Sequence, residues 1–305
     1  MKKYSFFSYK GGSGRSTLAY NTIPFLVKEL NASPKAPILV FDLDIDSAGL
    51  TFLFKKSGVN TDAFSIQEAL DTPYSIIRNN PDTVDIEHHA IFKSCIPIGR
   101  AVYGLDEDND RSVLFVPTKR NIAIGGDGNG NYVIGGDEER RFKRIIEDCD
   151  AFGFSAVLFD TPAGNQATAQ WSLEISDAIV VCMRITYQMR EGTREYLDMK
   201  LKNFSNKKVF IVPNAVPTDE IFVDGYRVDY EYLKGTINDM FKDISINDNQ
   251  INLEMLGVGK PYFGINEIKR FKIQEDVLFK IAPEKRSGDE NSAIEAYRRL
   301  ATLLK

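Results

Sequence analysis

Histidine and cysteine are scarce in this 305-residue chain, and positive charge is outnumbered by negative. The only histidines are His88 and His89, and the only cysteines are Cys95, Cys149 and Cys182. Adjacent residues on an extended chain point to opposite faces, so the two histidines do not share a metal ion, and a surface or partner contact is expected of them. Three scattered cysteines make no disulfide frame and are expected of a protein from a reducing cytoplasm. No apolar run reaches membrane-spanning length, and Met-Lys-Lys leads straight into the first apolar segment without a signal-peptide pattern. With 38 Lys and Arg against 43 Asp and Glu, the net charge is −5. Bulk charge therefore does not favour nucleic-acid binding. Lys200, Lys202, Lys207, Lys208, Lys269, Arg270 and Lys272 are the candidates for a local basic surface, beside the commoner reading of solvated charges.

Short apolar runs alternate with helical stretches along the chain. The runs are 4–8, 38–42, 113–116, 156–160, 178–183 and 209–213. Most are continuously apolar, as expected of parallel strands covered on both faces. Helices are expected over 18–30, 138–149, 189–204 and 293–305. The pattern predicts an α/β fold: a doubly wound, mostly parallel sheet with helices on both faces, whose ligands sit beyond the C-terminal ends of the strands. No linker divides the chain, so a single domain is expected, with insertions near 71–112, 121–137 and 218–258. The glycine-rich stretch 121–137 contains Ile-Gly-Gly-Asp twice and reads as a long hairpin or loop.

Directly after the first run comes Lys10-Gly11-Gly12-Ser13-Gly14-Arg15-Ser16-Thr17. This is a phosphate-binding loop between strand and helix. Glycines let the backbone turn its N–H groups inward, and the following helix adds its own free N–H groups and dipole. Ser16 offers a hydroxyl to a phosphate-bound Mg²⁺. Two residues depart from the common G-x-x-x-x-G-K-[ST] form: Tyr9 stands for the first glycine and Arg15 for the lysine.

Two further strand ends carry acids. Asp42 and Asp44 alternate in Phe41-Asp42-Leu43-Asp44, so an extended chain places both on one face, where Mg²⁺ would offset their repulsion of a triphosphate and one could orient water. A solvent-facing charged strand terminus is the alternative. Asp160 follows the apolar Val157–Phe159 at the usual metal-supporting position, and Gly164 can bring a backbone N–H close to the γ-phosphate. Asn214 ends the sixth strand with a donor and an acceptor that suit an adenine edge.

The loop Lys10–Thr17, Asp42-Leu43-Asp44, Asp160-Thr161-Pro162-Ala163-Gly164 and Val212-Pro213-Asn214 together resemble the ParA/MinD family of deviant-Walker P-loop ATPases. Ile281-Ala282-Pro283-Glu284 and the stretch Ala293–Ala301 are similar to the closing segment of the ParA-type partition ATPases. The resemblance implies a cytoplasmic protein that binds ATP and Mg²⁺, forms a nucleotide-dependent homodimer, and hydrolyses slowly until an activating protein partner stimulates it. The cargo it implies is DNA or a protein complex, with non-specific DNA among the partners.

Residue by residue, the resemblance makes Lys10 the lysine that reaches the partner copy's phosphates. Ser16 is the Mg²⁺ ligand, Thr17 a phosphate contact, Asp44 the acid that positions water, Asp160 the acid that holds Mg²⁺ through water, and Asn214 the adenine-side residue. Arg15 departs from the family lysine; it keeps the charge in a wider planar fork, which bears on hydrolysis more than on binding. Asp46-Ser47 departs from the usual Pro-Gln pair of the partition proteins. The nitrogenase iron protein shares this fold but needs a cysteine between Asp160 and Cys182, and there is none. The tail carries one tyrosine, Tyr297, not the cluster of the tyrosine kinases of this fold. It reads as a packed helix and not as the membrane-targeting helix that ends MinD.

Overall fold

The computed structural model describes residues 1–78, 89–119, 135–200, 207–218, 221–223, 226–228, 230–242, 252–255 and 264–305. His88, Lys202 and nearly all of 121–137 lie outside them. In chain order the elements are β1 (Lys2–Phe7), α1 (Arg15–Glu29), β2 (Ile38–Asp42), α2 (Gly49–Lys56), α3 (Ile66–Asp71), α4 (Tyr74–Ile77), α5 (Ala90–Ser94), β3 (Ile96–Pro97), α6 (Gly99–Tyr103) and β4 (Val113–Val116). There follow α7 (Gly136–Ala151), β5 (Ala156–Asp160), α8 (Ala167–Ile175), β6 (Ala178–Arg184), α9 (Tyr187–Lys200) and β7 (Lys208–Val216). The last are β8 (Ile221–Val223), β9 (Tyr226–Val228), α10 (Tyr230–Lys242), β10 (Asn252–Met255), β11 (Ile265–Asn266) and α11 (Gly288–Leu304). The fold is α/β, a doubly wound and mostly parallel sheet with helices on both faces.

The residues group into two compact units, 1–5 with 26–176 and 6–25 with 177–305. In the first, β2 lies between β5 and β4, parallel to both, and β3 closes the β4 edge in antiparallel sense. Every residue of β2, β4 and β5 is buried, which is why their runs are apolar without alternation. Leu39, Phe41, Leu114, Val116, Val157 and Phe159 of these strands join Ile66, Leu70, Phe142, Ile145 and Trp171 in one apolar cluster. In the second unit β7 lies between β6 and β10, parallel to both, with β11 beside its C-terminal end. Helix α11 begins five residues earlier than the expected 293, because Ser287 caps it and Glu290 returns the bond in a capping box.

Within the first unit, Tyr74, Arg78 and His89 from the expected insertion 71–112 are held to α7 by a cluster of polar contacts centred on Asp148. Asp148 of α7 accepts from Arg78 Nη1 at 2.7 Å and from the Tyr74 hydroxyl, and lies 3.2 Å from His89 Nε2. His89 is fully buried, stacks on Phe92 at 3.9 Å and caps α5 by accepting the Phe92 N–H at its other ring nitrogen. The surface role expected of His89 is therefore wrong. Its partner is 59 residues away in sequence, out of reach of any local pattern.

Burial alone would raise the Asp148 carboxyl, but hydrogen bonds from His89 and Tyr74 and the Arg78 charge outweigh it and hold the pKa below the usual range. A depressed pKa contributes stability that is present above the unfolded value and lost as pH falls through the folded one. Asp148→Ala should cost about 3 kcal/mol in urea denaturation at pH 7. The gap from the parent should shrink as the pH falls below about 4. A gap that does not change with pH would show that the carboxylate charge plays no part.

Candidate functional site

Two constellations, one in each unit, gather the chemistry-bearing residues. In the second unit, the buried end of β1, Phe6-Phe7, delivers the chain to the loop and the start of α1 takes it away. Gly12 and Gly14 have φ of 76° and 84°, a left-handed backbone that side chains rarely adopt. A Cβ on Gly11 or Gly12 would meet nothing within 4 Å, so the loop is open there. Gly14 is different: a Cβ would lie 2.2 Å from Asn214 Nδ2. That nitrogen donates to the Ser13 carbonyl at 2.7 Å, and Cys182 Sγ approaches the same oxygen at 3.4 Å. Asn214 and Cys182 come from the ends of β7 and β6, so the sheet itself fixes the turn of the loop.

The residues around the loop are sorted by burial. Lys10 is exposed. Tyr9, in the place of the common first glycine, lays its ring on Gly192 of α9, where a Cβ would come within 2.2 Å of the ring. Arg15 is buried at the start of α1, with Nη1 3.4 Å from Ser8 Oγ. Ser16 is half-buried. Thr17 donates its hydroxyl to Glu275 Oε1 at 2.8 Å. No acidic residue stands in the first turn of α1, so the helix N-terminus is left to an incoming anion or to Glu275. Beside the loop an open cleft of about 170 Å³ is lined by Gly14, Thr17, Asn214, Ala215, Phe271 and Tyr297, among others. Ala215 has φ of 52°, an uncommon backbone for a residue with a Cβ. Asn214 thus lines the cleft as well as clamping the loop.

In the first unit, Asp42 and Asp160 sit opposite each other in the β2–β5 register, both fully buried. Asp42 Oδ2 accepts the N–H and the hydroxyl of Thr51, at 2.8 and 2.7 Å, and Oδ1 accepts the Asp44 N–H at 3.1 Å. Burial, then the neighbouring Asp160 charge, push the Asp42 carboxyl up to about 8. The extended strand expected to carry both Asp42 and Asp44 stops short of Asp44. Strand β2 ends at Asp42 and the chain turns, with Asp44 Oδ1 taking the Ser47 N–H at 3.2 Å and the Asp44 carbonyl the Ala48 N–H at 2.7 Å. Asp44 is nevertheless buried. Gly164 follows Asp160 in a left-handed turn, with φ of 74°.

The residues fit a nucleotide phosphate: an open glycine loop, a helix N-terminus and a buried guanidinium. They also fit Mg²⁺. Ser16 offers a hydroxyl in the second unit, and Asp42 and Asp160 offer carboxylate oxygens in the first; among the described residues no cluster of three or more His, Cys, Asp or Glu side chains suited to a metal occurs in either. Mg²⁺ takes few protein ligands and relies on phosphates and water for the rest. Sequence reasoning missed Thr51, which reaches Asp42 from α2, and Cys182 and Glu275, whose partners Ser13 and Thr17 are distant in the chain.

No protein-family model and no curated protein matches the sequence. Solved structures do match. The MinC:MinD cell division complex of Aquifex aeolicus aligns at 16% identity and TM-score 0.60, over 98% of this chain and 95% of that one. A ParA family ATPase from Chlorobium tepidum TLS aligns at 14% and 0.60, over 98% of each. The septum site-determining protein MinD from Pyrococcus horikoshii OT3, complexed with Mg-ADP, aligns at 14% and 0.58, over 100% and 98%. The chain therefore has the ParA/MinD-like fold.

The Thr51 hydroxyl is the pivot of the carboxylate constellation, since it also accepts the Thr118 N–H at 3.1 Å. Thr51→Val should remove one buried donor to Asp42 and orphan one buried amide, at a cost of about 2 kcal/mol in chemical denaturation. A cost near zero would show that Thr51 does not hold Asp42.

Proposed function

We propose that this protein is a cytoplasmic, Mg-ATP-dependent switch of the ParA/MinD kind. It dimerises around two nucleotides, hydrolyses ATP slowly until a protein partner stimulates it, and positions DNA or a protein cargo. The observation that carries this reading is the clamped loop: left-handed Gly12 and Gly14, with the Ser13 carbonyl held by Asn214, directly ahead of the start of α1. The Mg-ADP complex of the similarly folded MinD supports the ligand, and the MinC:MinD complex supports a protein partner. Three free, buried cysteines support a reducing compartment. Among the described residues no helix is long and apolar enough to cross a membrane.

The roles follow from the chemistry of each group. Backbone N–H groups of Gly11–Thr17, with Ser13 among them, take the β- and γ-phosphates, and Arg15 adds its charge. Ser16, Asp42 and Asp160 supply oxygens toward Mg²⁺, which when bound neutralises phosphate charge. Asp44 orients the attacking water; the Ser47 N–H on its Oδ1 holds the carboxylate for that task. Gly164 brings its N–H toward the γ-phosphate side, and Asn214 faces the base. Exposed Lys10 is placed to serve a second copy. Non-specific DNA is the weaker partner reading, because Arg270 and Lys272 of the basic stretch are paired with Glu290 and Glu267.

Arg15 favours a second reading, a nucleotide-binding regulatory module with little hydrolysis. Its guanidinium is buried and directed toward Ser8, where a lysine would present a compact ammonium. Misplacing charge by about an ångström can cost about a hundredfold in rate.

Calorimetry with and without Mg²⁺ tests the ligand: ATP should bind more tightly with the metal, and Ser16→Ala should lose that gain with its fold intact. Equal affinity with and without Mg²⁺ in both proteins would sink the assignment. Phosphate release separates the two readings. Basal turnover should be about one per second or slower. Arg15→Lys should raise it; a sharp fall would mean the loop is built around arginine. Lys10→Ala should stay monomeric with ATP in sedimentation, whereas the parent should dimerise.

A further inference from the structure

Residues 273–280 run as a strap along one face of α1. Thr17, Asn21 and Phe25 recur at intervals of four, the spacing that stacks side chains on one side of a helix. The strap holds each of them. Thr17 Oγ1 donates to Glu275 Oε1 at 2.8 Å, the Leu278 N–H donates to Asn21 Oδ1 at 3.0 Å, and Phe279 packs edge-on against Phe25 at 6.3 Å. Asn21 also donates to the Thr17 carbonyl at 3.1 Å, and the Arg298 guanidinium lies over Phe25 at 5.6 Å. The strap is anchored by Leu278, which is fully buried. Its other end, Glu275, is exposed and stands in the cleft with Gly14 and Thr17.

Glu275 therefore puts a carboxylate on the first turn of α1, where the helix dipole and free N–H groups favour an anion. The turn itself contains no acid. We propose that Glu275 is a built-in competitor for the nucleotide: its carboxylate holds the Thr17 hydroxyl while the cleft is empty and must give way when a phosphate arrives. The proposal rests on the nucleotide-binding reading above and adds a regulatory residue to it. Two anions on one helix turn repel, so ATP binds more weakly than the loop alone would allow. Anything that lifts the strap at Glu275, while Leu278 stays seated, tightens binding.

The test is the ATP affinity of Glu275→Gln, with Glu275→Ala as a second variant, measured by calorimetry with Mg²⁺ beside the parent. Removing the like charge should tighten ATP binding about tenfold. The melting temperature of the nucleotide-free variants should hold or fall slightly, because the bond to Thr17 is weakened or lost. A residue with a merely structural role would weaken binding and stability together. Unchanged or weaker ATP affinity in both variants overturns the proposal. A loss confined to ATP and absent with 2′-deoxy-ATP also overturns it, by assigning Glu275 to the ribose. If the parent itself binds no Mg-ATP, the nucleotide reading fails and this proposal with it; if the parent binds and the variants match it, only the competitor role fails.

Discussion

A phosphate loop works only if its carbonyl oxygens are kept away from the anion it is to hold. In this chain the Ser13 carbonyl bears that constraint. Asn214 Nδ2 takes it at 2.7 Å from the end of β7, and Cys182 Sγ approaches it from the end of β6. The close packing of Asn214 excludes any side chain at position 14, and the left-handed turn at Gly14 excludes most of them independently. The helix starts two residues after this contact: α1 begins at Arg15, with Ser16 and Thr17 in its first turn.

The carboxylates are set by a different constraint, the register of parallel strands. Pairing Ile38 with Ala156 at one end forces Asp42 opposite Asp160 at the other. Burial first, and then the Asp160 charge on the neighbouring strand, push the Asp42 carboxyl up to about 8. Thr51 and the Asp44 amide offset part of that cost by donating to it. Asp42 is thus held by three hydrogen bonds from two residues, and Asp44 lies beyond the strand at the start of a turn.

The legible parts of the sequence were those governed by short-range rules. Strands β2, β4 and β5 coincide with the apolar runs 38–42, 113–116 and 156–160, because strands buried on both faces need no alternation. The phosphate loop was legible because its glycines and hydroxyls have to be contiguous. Ser287 and Glu290 form a capping box that is readable in the sequence and places the start of α11 at Gly288, ahead of the apolar stretch from 293. The buried place of His89 and the turn that begins at Asp44 carry no local signature. Asp148 and Thr51 reach them, or their neighbour Asp42, through tertiary contacts that leave no periodic trace. Thr17 and Glu275 are separated by 258 positions and meet only in the folded chain.

The loop, with Glu275 beside it, makes a cleft whose own residues define where an anion belongs. A crystal structure of the chain with Mg²⁺ and a non-hydrolysable ATP analogue tests this most directly. The account predicts the triphosphate on the backbone N–H groups of Gly11–Thr17, with the Ser13 carbonyl still on Asn214 Nδ2. A triphosphate bound elsewhere, or a Ser13 carbonyl turned away from Asn214 toward it, would contradict the account.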